Sequence, residues 1–217
     1  MPKLLTHTLD FFVVGGPFMV LLLLLSLVAG TIIILRGRAL REKIVIPPAV
    51  GIALEKLSPG DNIDLLQFSI ERNPSPISRI LTVLISHLNW PKAENLEAIQ
   101  TRARHEVAYL EKGLVFLEIA TGVAPLLGLL GTLSGLVGIF ATLGSSGEPA
   151  LIARGISEAL NCTIVGLGVA VPCLIAFNYF QRKVEVMAIS MESMAADLLV
   201  KCYPYGEQPQ VEKQILK

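Results

Sequence analysis

The chain has 217 residues, and its 18 Lys+Arg balance 18 Asp+Glu, so the formal net charge is zero and no nucleic-acid partner is implied. Hydrophobic residues make up 53% and charged ones only 17%. With a mean hydropathy of +0.63, these values exclude a soluble chain with an ordinary surface. The lipid bilayer is the partner they imply, because long charge-free runs alternate with polar stretches.

Residues 1–10 are expected to form a short external N-terminus, and 11–35 the first transmembrane helix. Phe11 to Leu35 carries no charge. At 1.5 Å per residue, its roughly 25 residues can cross a hydrocarbon core about 30 Å thick. A signal peptide fits poorly: only Lys3 precedes the run, which is too long and lacks an A-x-A site after it. Gly15, Gly16 and Pro17 shape the helix start, where a missing N–H costs nothing.

Residues 36–118 are predicted to be a helical cytoplasmic region. Arg36 to Val45 is expected to continue the first span until Pro47-Pro48 stops it. Ser58-Pro59-Gly60 and Asn73-Pro74-Ser75-Pro76 separate short helical pieces. After Trp90-Pro91, apolar or small residues recur at Leu96, Ile99, Ala103, Val107, Leu110, Leu114 and Leu117. That spacing of three and four predicts one long helix running unbroken into the second span.

The second transmembrane helix is placed at 119–143, an external loop at 144–155, the third transmembrane helix at 156–181 and a cytoplasmic tail at 182–217. Gly144-Ser145-Ser146-Gly147-Glu148-Pro149 is a turn-rich break, so the second and third spans form a hairpin. Orientation follows from Lys and Arg at the span ends. Arg36, Arg38, Arg41 and Lys43 follow the first span, Arg102, Arg104 and Lys112 precede the second, and Arg182 and Lys183 follow the third. The hairpin loop offers Arg154. The N-terminus and hairpin loop are thus expected outside, and the 36–118 region and C-terminus inside. The fold class is an all-α membrane protein with three transmembrane helices and a helical region between the first and second.

Cys162, Cys173 and Cys202 lack metal-binding spacing, and His7, His87 and His105 are scattered, so no metal or cofactor is expected. Ser134-Gly135 after Gly131 lacks the Gly-x-Ser-x-Gly pattern of a nucleophile elbow, and no histidine falls in a span. The chain is therefore not expected to be an enzyme.

In the second span Thr121, Gly128, Thr132, Gly135 and Thr142 share one helical face. Gly131-x-x-x-Gly135 is a pattern that lets helix backbones approach closely in a membrane. That face could serve helix packing alone, or its hydroxyls could line a water-filled path. Glu158 opens the third span. A carboxylate there must face water, a partner charge or a protein interior. It could pair at the interface with Arg154, four residues earlier, or line a pore.

The run Ala124-Pro125-Leu126-Leu127-Gly128-Leu129-Leu130-Gly131-Thr132, followed by Gly155-Ile156-Ser157-Glu158-Ala159-Leu160, resembles the ExbB/TolQ/MotA proton-channel family. Thr163, Gly166-Leu167-Gly168-Val169-Ala170-Val171-Pro172 and Asn178 fit the same pattern, and the resemblance spans Glu111 to Leu199. Three spans resemble ExbB and TolQ subunits more than the four-span flagellar ones.

The resemblance implies a homopentamer around single-span ExbD/TolR-like partners whose membrane Asp carries the proton. A TonB-like energy transducer would be a further partner. It also implies a bacterial inner-membrane, multi-pass location and proton-driven rotation that powers outer-membrane transport or envelope work. Thr132, Glu158 and Thr163 fall on the family's polar pore positions, and Gly128, Gly131, Gly135, Gly166 and Gly168 are expected to pack helices. Asn161, Cys162 and Arg154 depart from the pattern. The ExbB and TolQ roles, and H⁺ and Na⁺, stay open at this level. A non-conducting structural scaffold is the rival reading.

Overall fold

A computed structural model describes residues 16–142 and 149–203. The expected external N-terminus at 1–10, the turn at 144–148 and the tail beyond Pro204 lie outside the described residues. Every regular element among the described residues is an α-helix, and three are long and apolar enough to cross a membrane. The described residues form two compact units, one drawn from 16–36 with 113–180, the other from 37–112 with 181–203.

The first unit holds the apolar helices. Helix α1 is Gly16–Ala39, 24 residues long, which at 1.5 Å each gives about 36 Å. Its sequence is apolar all round, as a lipid-exposed span requires. Met19, Leu22 and Ala29 are buried, while Val20, Leu24, Leu27 and Val28 stand exposed. Helix α7 is Leu114–Thr142 and helix α8 is Pro149–Cys202. Leu22 packs on Ala124 of α7 and Ala170 of α8, flanked by Leu25, Leu127, Val165 and Val169. Pro125 and Pro172 sit inside their helices. Each removes one ladder donor, which membrane helices tolerate because neighbouring groups satisfy the freed carbonyl.

The second unit is built from shorter helices: α2 Glu42–Val45, α3 Pro48–Glu55, α4 Asp64–Arg72, α5 Pro76–Ser86 and α6 Lys92–Glu111. Ser75 caps α5, its hydroxyl accepting the Ser78 N–H at 3.2 Å, with Pro76 at the first helical position. Leu66, Ile70, Ile77, Ile80, Leu81, Leu84 and Ile99 form the apolar interior. Helices α5 and α6 are clamped by Glu106, whose side chain is 3% exposed. Its oxygens take Arg79 Nε at 2.8 Å and Nη2 at 2.5 Å, and Arg102 Nη2 at 2.7 Å. Burial works to raise this carboxyl, but Arg79's hydrogen bonds and the nearby cations outweigh it and hold the group below the usual range.

The last described turn of α8 is tied into the same unit. Lys201 Nζ donates to the Leu54 carbonyl at 2.8 Å and pairs with Asp197 at 2.8 Å. Tyr203 Oη accepts from Asn95 Nδ2 at 3.0 Å and has the Leu88 and Trp90 carbonyls within 3.1 and 3.0 Å.

Three boundaries differ from the sequence reading. The first span does not continue to Val45: α1 ends at Ala39, and Arg41 adopts an extended conformation before the single turn of α2. The long helix expected from Trp90 into the second span is broken, because Lys112 leaves helical geometry and Gly113 has φ +88. Glycine in the left-handed region is a common helix terminator. Residues 182–202 form no separate tail but continue α8, with Val184, Met187, Met191, Ala195 and Leu198 buried along one face.

Candidate functional site

The polar residues of the apolar unit gather along the seam between α7 and α8, and glycine makes that seam close. A Cβ built on Gly128 would lie 2.8 Å from the Cys162 carbonyl and 3.0 Å from Thr163 Cα. One on Gly166 would lie 2.6 Å from the Ala124 carbonyl and 3.1 Å from Gly128 Cα. Gly131 abuts Cys162 Cβ and Gly135 abuts Ala159 Cβ, each at 2.8 Å by the same measure. No side chain fits at these four positions without moving a helix, so Gly128, Gly131, Gly135 and Gly166 are packing positions. At Gly168, by contrast, no atom of the described residues lies within 4 Å of the Cβ position.

The close approach brings Thr132 of α7 against Thr163 of α8, their hydroxyl oxygens 2.5 Å apart. Thr132 is 7% exposed. Its hydroxyl also has the Gly128 and Ala159 carbonyls at 3.1 Å, while Thr163's has the Gly128 carbonyl at 3.3 Å. Each hydroxyl has one proton to donate, so two protons serve several acceptors, and either threonine can be the donor between the two oxygens. The pair links the helices through groups that would be costly in hydrocarbon without partners.

Glu158 is placed apart from this pair. Its Oε1 accepts Arg154 Nε at 2.9 Å, with the Arg154 side chain 75% exposed and that of Glu158 34%. An open helix pair of this kind is worth only about 0.3–0.5 kcal/mol, too little to explain a carboxylate at this point by stability alone. Glu158 also lines a cavity of about 310 Å³ with Ser134, Gly135, Gly138, Cys162 and Phe18, whereas Thr132 and Thr163 do not. The three sequence-derived polar residues therefore form a hydroxyl pair and a separate carboxylate, with the Ala159 carbonyl, one residue on from Glu158, accepting from Thr132.

Ser134 was read in the sequence only as a rejected nucleophile, and its place on the cavity wall was missed. The signal was present: Gly131, Ser134, Gly135 and Gly138 share one side of a helix at spacings of three and four. Asn178 points its amide back to the Leu174 carbonyl at 3.0 Å and joins neither group. Among the described residues, no three His, Cys, Asp or Glu residues gather as a metal site.

Comparison with known proteins gives a consistent answer. The profile of the MotA/TolQ/ExbB proton channel family matches residues 73–193. The match reaches well upstream of Glu111, where the sequence resemblance began, and takes in α5 and α6. The chain is 34% identical over 209 residues to an ExbB-like biopolymer transport protein of Synechocystis sp., covering 90% of this chain and 79% of that one. It is 28% identical over 199 residues to the biopolymer transport protein ExbB of Neisseria meningitidis, covering 84% and 89%. An ExbB homolog of Methanothermobacter thermautotrophicus is 28% identical over 144 residues, and there the chain spans 51% of the relative's length.

Proposed function

Because this chain belongs to the MotA/TolQ/ExbB proton channel family, we propose that it is the ExbB-type subunit of an inner-membrane motor driven by proton flow. Five copies would surround single-span ExbD/TolR-like partners, whose membrane Asp takes up the proton, and a TonB-like protein would carry the work outward. The N-terminus and hairpin loop would face outside, and the unit built from α2 to α6 would face the cytoplasm. The protein's part is not enzymatic. It supplies a polar path through an apolar wall and converts proton passage into movement against the partner. One charge falling through 100 mV releases roughly 2.3 kcal/mol, so several protons would be spent per work step.

The observation that carries this reading is the Thr132–Thr163 hydroxyl pair, held at 2.5 Å between two predominantly apolar spans, with the Glu158 carboxylate separate from it on α8. Intramembrane ionisable and hydroxyl groups are retained at a cost, which favours a functional role over a packing role. The rival is a non-conducting scaffold. It is favoured by one feature, the Arg154–Glu158 pair, which gives the carboxylate a partner without any pore.

Partner-dependent proton flux in proteoliposomes separates the two, alongside an assembly assay. Glu158→Gln keeps size and hydrogen bonding but removes the charge, and should abolish flux in an assembled complex. Thr132→Val should resemble it, and Arg154→Ala should be mild. Wild-type flux from assembled Glu158→Gln would return Glu158 to the interface and favour the scaffold.

A further inference from the structure

A groove of about 520 Å³ lies between α6 and the continuation of α8 in the second unit. We propose that residues 211–217 of the same chain dock in this groove and close it. The inference does not depend on the proton-path reading of Glu158.

The groove is apolar and built largely from small residues. Ile99, Ala103 and Val107 of α6 line it with Ala188, Ala195 and Leu199 of α8. Alanine at 103, 188 and 195 leaves room that larger side chains would fill. Removing such a surface from water is favourable. Three charged residues, Arg104, Glu111 and Glu192, also line it. Among the described residues none of the three forms a salt bridge. The groove thus offers an apolar floor with two unpaired acids and one unpaired base.

Where the described chain ends selects the occupant. Tyr203 N donates to the carbonyl of Leu199, a residue of the groove wall, at 3.0 Å. Tyr203 Oη accepts from Asn95 Nδ2 at 3.0 Å, and Lys201 Nζ donates to the Leu54 carbonyl at 2.8 Å. The chain therefore leaves α8 at one end of the groove, beside the start of α6. Residues 204–217 follow, and Pro204, Gly206 and Pro209 are turn-forming types that precede position 211. At about 3.3 Å per residue, residues 204–210 reach about 23 Å at most. From Leu199 back to Ala188 the groove runs about 17 Å along α8. The segment can therefore turn back and lie along it.

Its chemistry matches. Val211, Ile215 and Leu216 supply apolar side chains, while Glu212, Lys213 and Lys217 supply one acid and two bases. That is the complement of the groove's two acids and one base. The short tether also holds the segment at a local concentration on the order of millimolar, which a separate partner would have to exceed.

The test uses the full chain in lipid nanodiscs, with Cys162, Cys173 and Cys202 replaced by Ala. Val107→Cys puts a thiol in the groove, and Thr101→Cys puts one on α6 outside it. The probe is a water-soluble maleimide. A docked segment admits the probe only when it opens locally, so deleting residues 204–217 should speed reaction at 107 at least about fivefold. The rate at 101 should not change. Glu111→Lys combined with Glu192→Lys should also speed reaction at 107, and adding Lys213→Glu and Lys217→Glu should slow it again. Ile215→Cys with Gln100→Cys should cross-link through a short bismaleimide within one chain.

A rate at 107 that the deletion leaves unchanged would overturn the proposal. Fast reaction throughout would mean an open groove, and slow reaction throughout would mean that a second copy covers it. A deletion that speeds 101 and 107 alike would mean a loosened unit and would also overturn it. So would cross-linking found only between two copies that each carry one of the cysteines, because the segment would then cover a neighbour's groove.

Discussion

Two glycines two residues apart on α8 should respond oppositely to the same methyl group. At Gly166 an added Cβ would lie 2.6 Å from the Ala124 carbonyl and 3.1 Å from Gly128 Cα. Both are backbone atoms, so no side chain can rotate away. Real Cβ atoms essentially never approach below 3.0 Å, so 3.0 − 2.6 gives a separation of at least about 0.4 Å between α7 and α8. Overpacking of this kind costs about 1–3 kcal/mol. The Thr163–Gly128 bond, already 3.3 Å long, would be the first to fail as the helices part. In a chain of this size a loss of 1–3 kcal/mol lowers the melting temperature by roughly 2–12 °C. At Gly168 nothing among the described residues lies within 4 Å, and alanine is the better helix former by up to about 1 kcal/mol, so Gly168→Ala should be neutral or slightly stabilising within the subunit. Thermal unfolding of the detergent-solubilised protein, followed by intrinsic fluorescence, compares the two. Equal shifts would refute the claim that backbone contact at Gly166 holds the seam. A large loss at Gly168 confined to the oligomer would place that glycine at a contact between subunits.

The Glu106 clamp predicts an acid-sensitive second unit. Its folded carboxyl sits below the ordinary 4.5, so its contribution is fully present above the unfolded value and is lost as pH falls through the lower folded one. Melting temperature should drop on acidification in wild type and drop less in Glu106→Gln, while Arg79→Ala should cost about 1–3 kcal/mol at neutral pH; equal acid sensitivity in wild type and Glu106→Gln would discount the clamp. The proposed orientation predicts that, in a cysteine-free background in whole cells, an impermeant thiol reagent labels Ser146→Cys but not Asp61→Cys. The reverse pattern would invert the topology.

The parts of the fold legible in sequence were those set by uninterrupted composition. Charge-free runs long enough to span hydrocarbon marked all three apolar helices, and glycine spacing marked Gly128, Gly131 and Gly135 on one face. The break at Gly113 was hidden because Leu110, Leu114 and Leu117 keep helical spacing across it, and an apolar stripe is silent about a backbone that turns on a single residue. The extension of α8 to Cys202 was hidden for the opposite reason. Charges from Arg182 to Glu192 masked Val184, Met187 and Met191, which recur at steps of three and four. At the candidate site, residue types were readable but their grouping was not. Whether Thr132 meets Thr163 or Glu158 depends on the rotational register of two helices, which spacing within each helix leaves free.

That register leaves the seam with a bond that has no fixed sense. Thr132 can donate to Thr163 while Thr163 bonds elsewhere, or receive from Thr163 while its own proton turns to the Ala159 or Gly128 carbonyl. Every arrangement keeps the same heavy-atom positions, so the switch requires only rotation of two C–O bonds. The helices are thus held by a small dipole that can reverse without loosening them. A charge moving nearby would find a wall that reorients its own field in response, at no cost in packing.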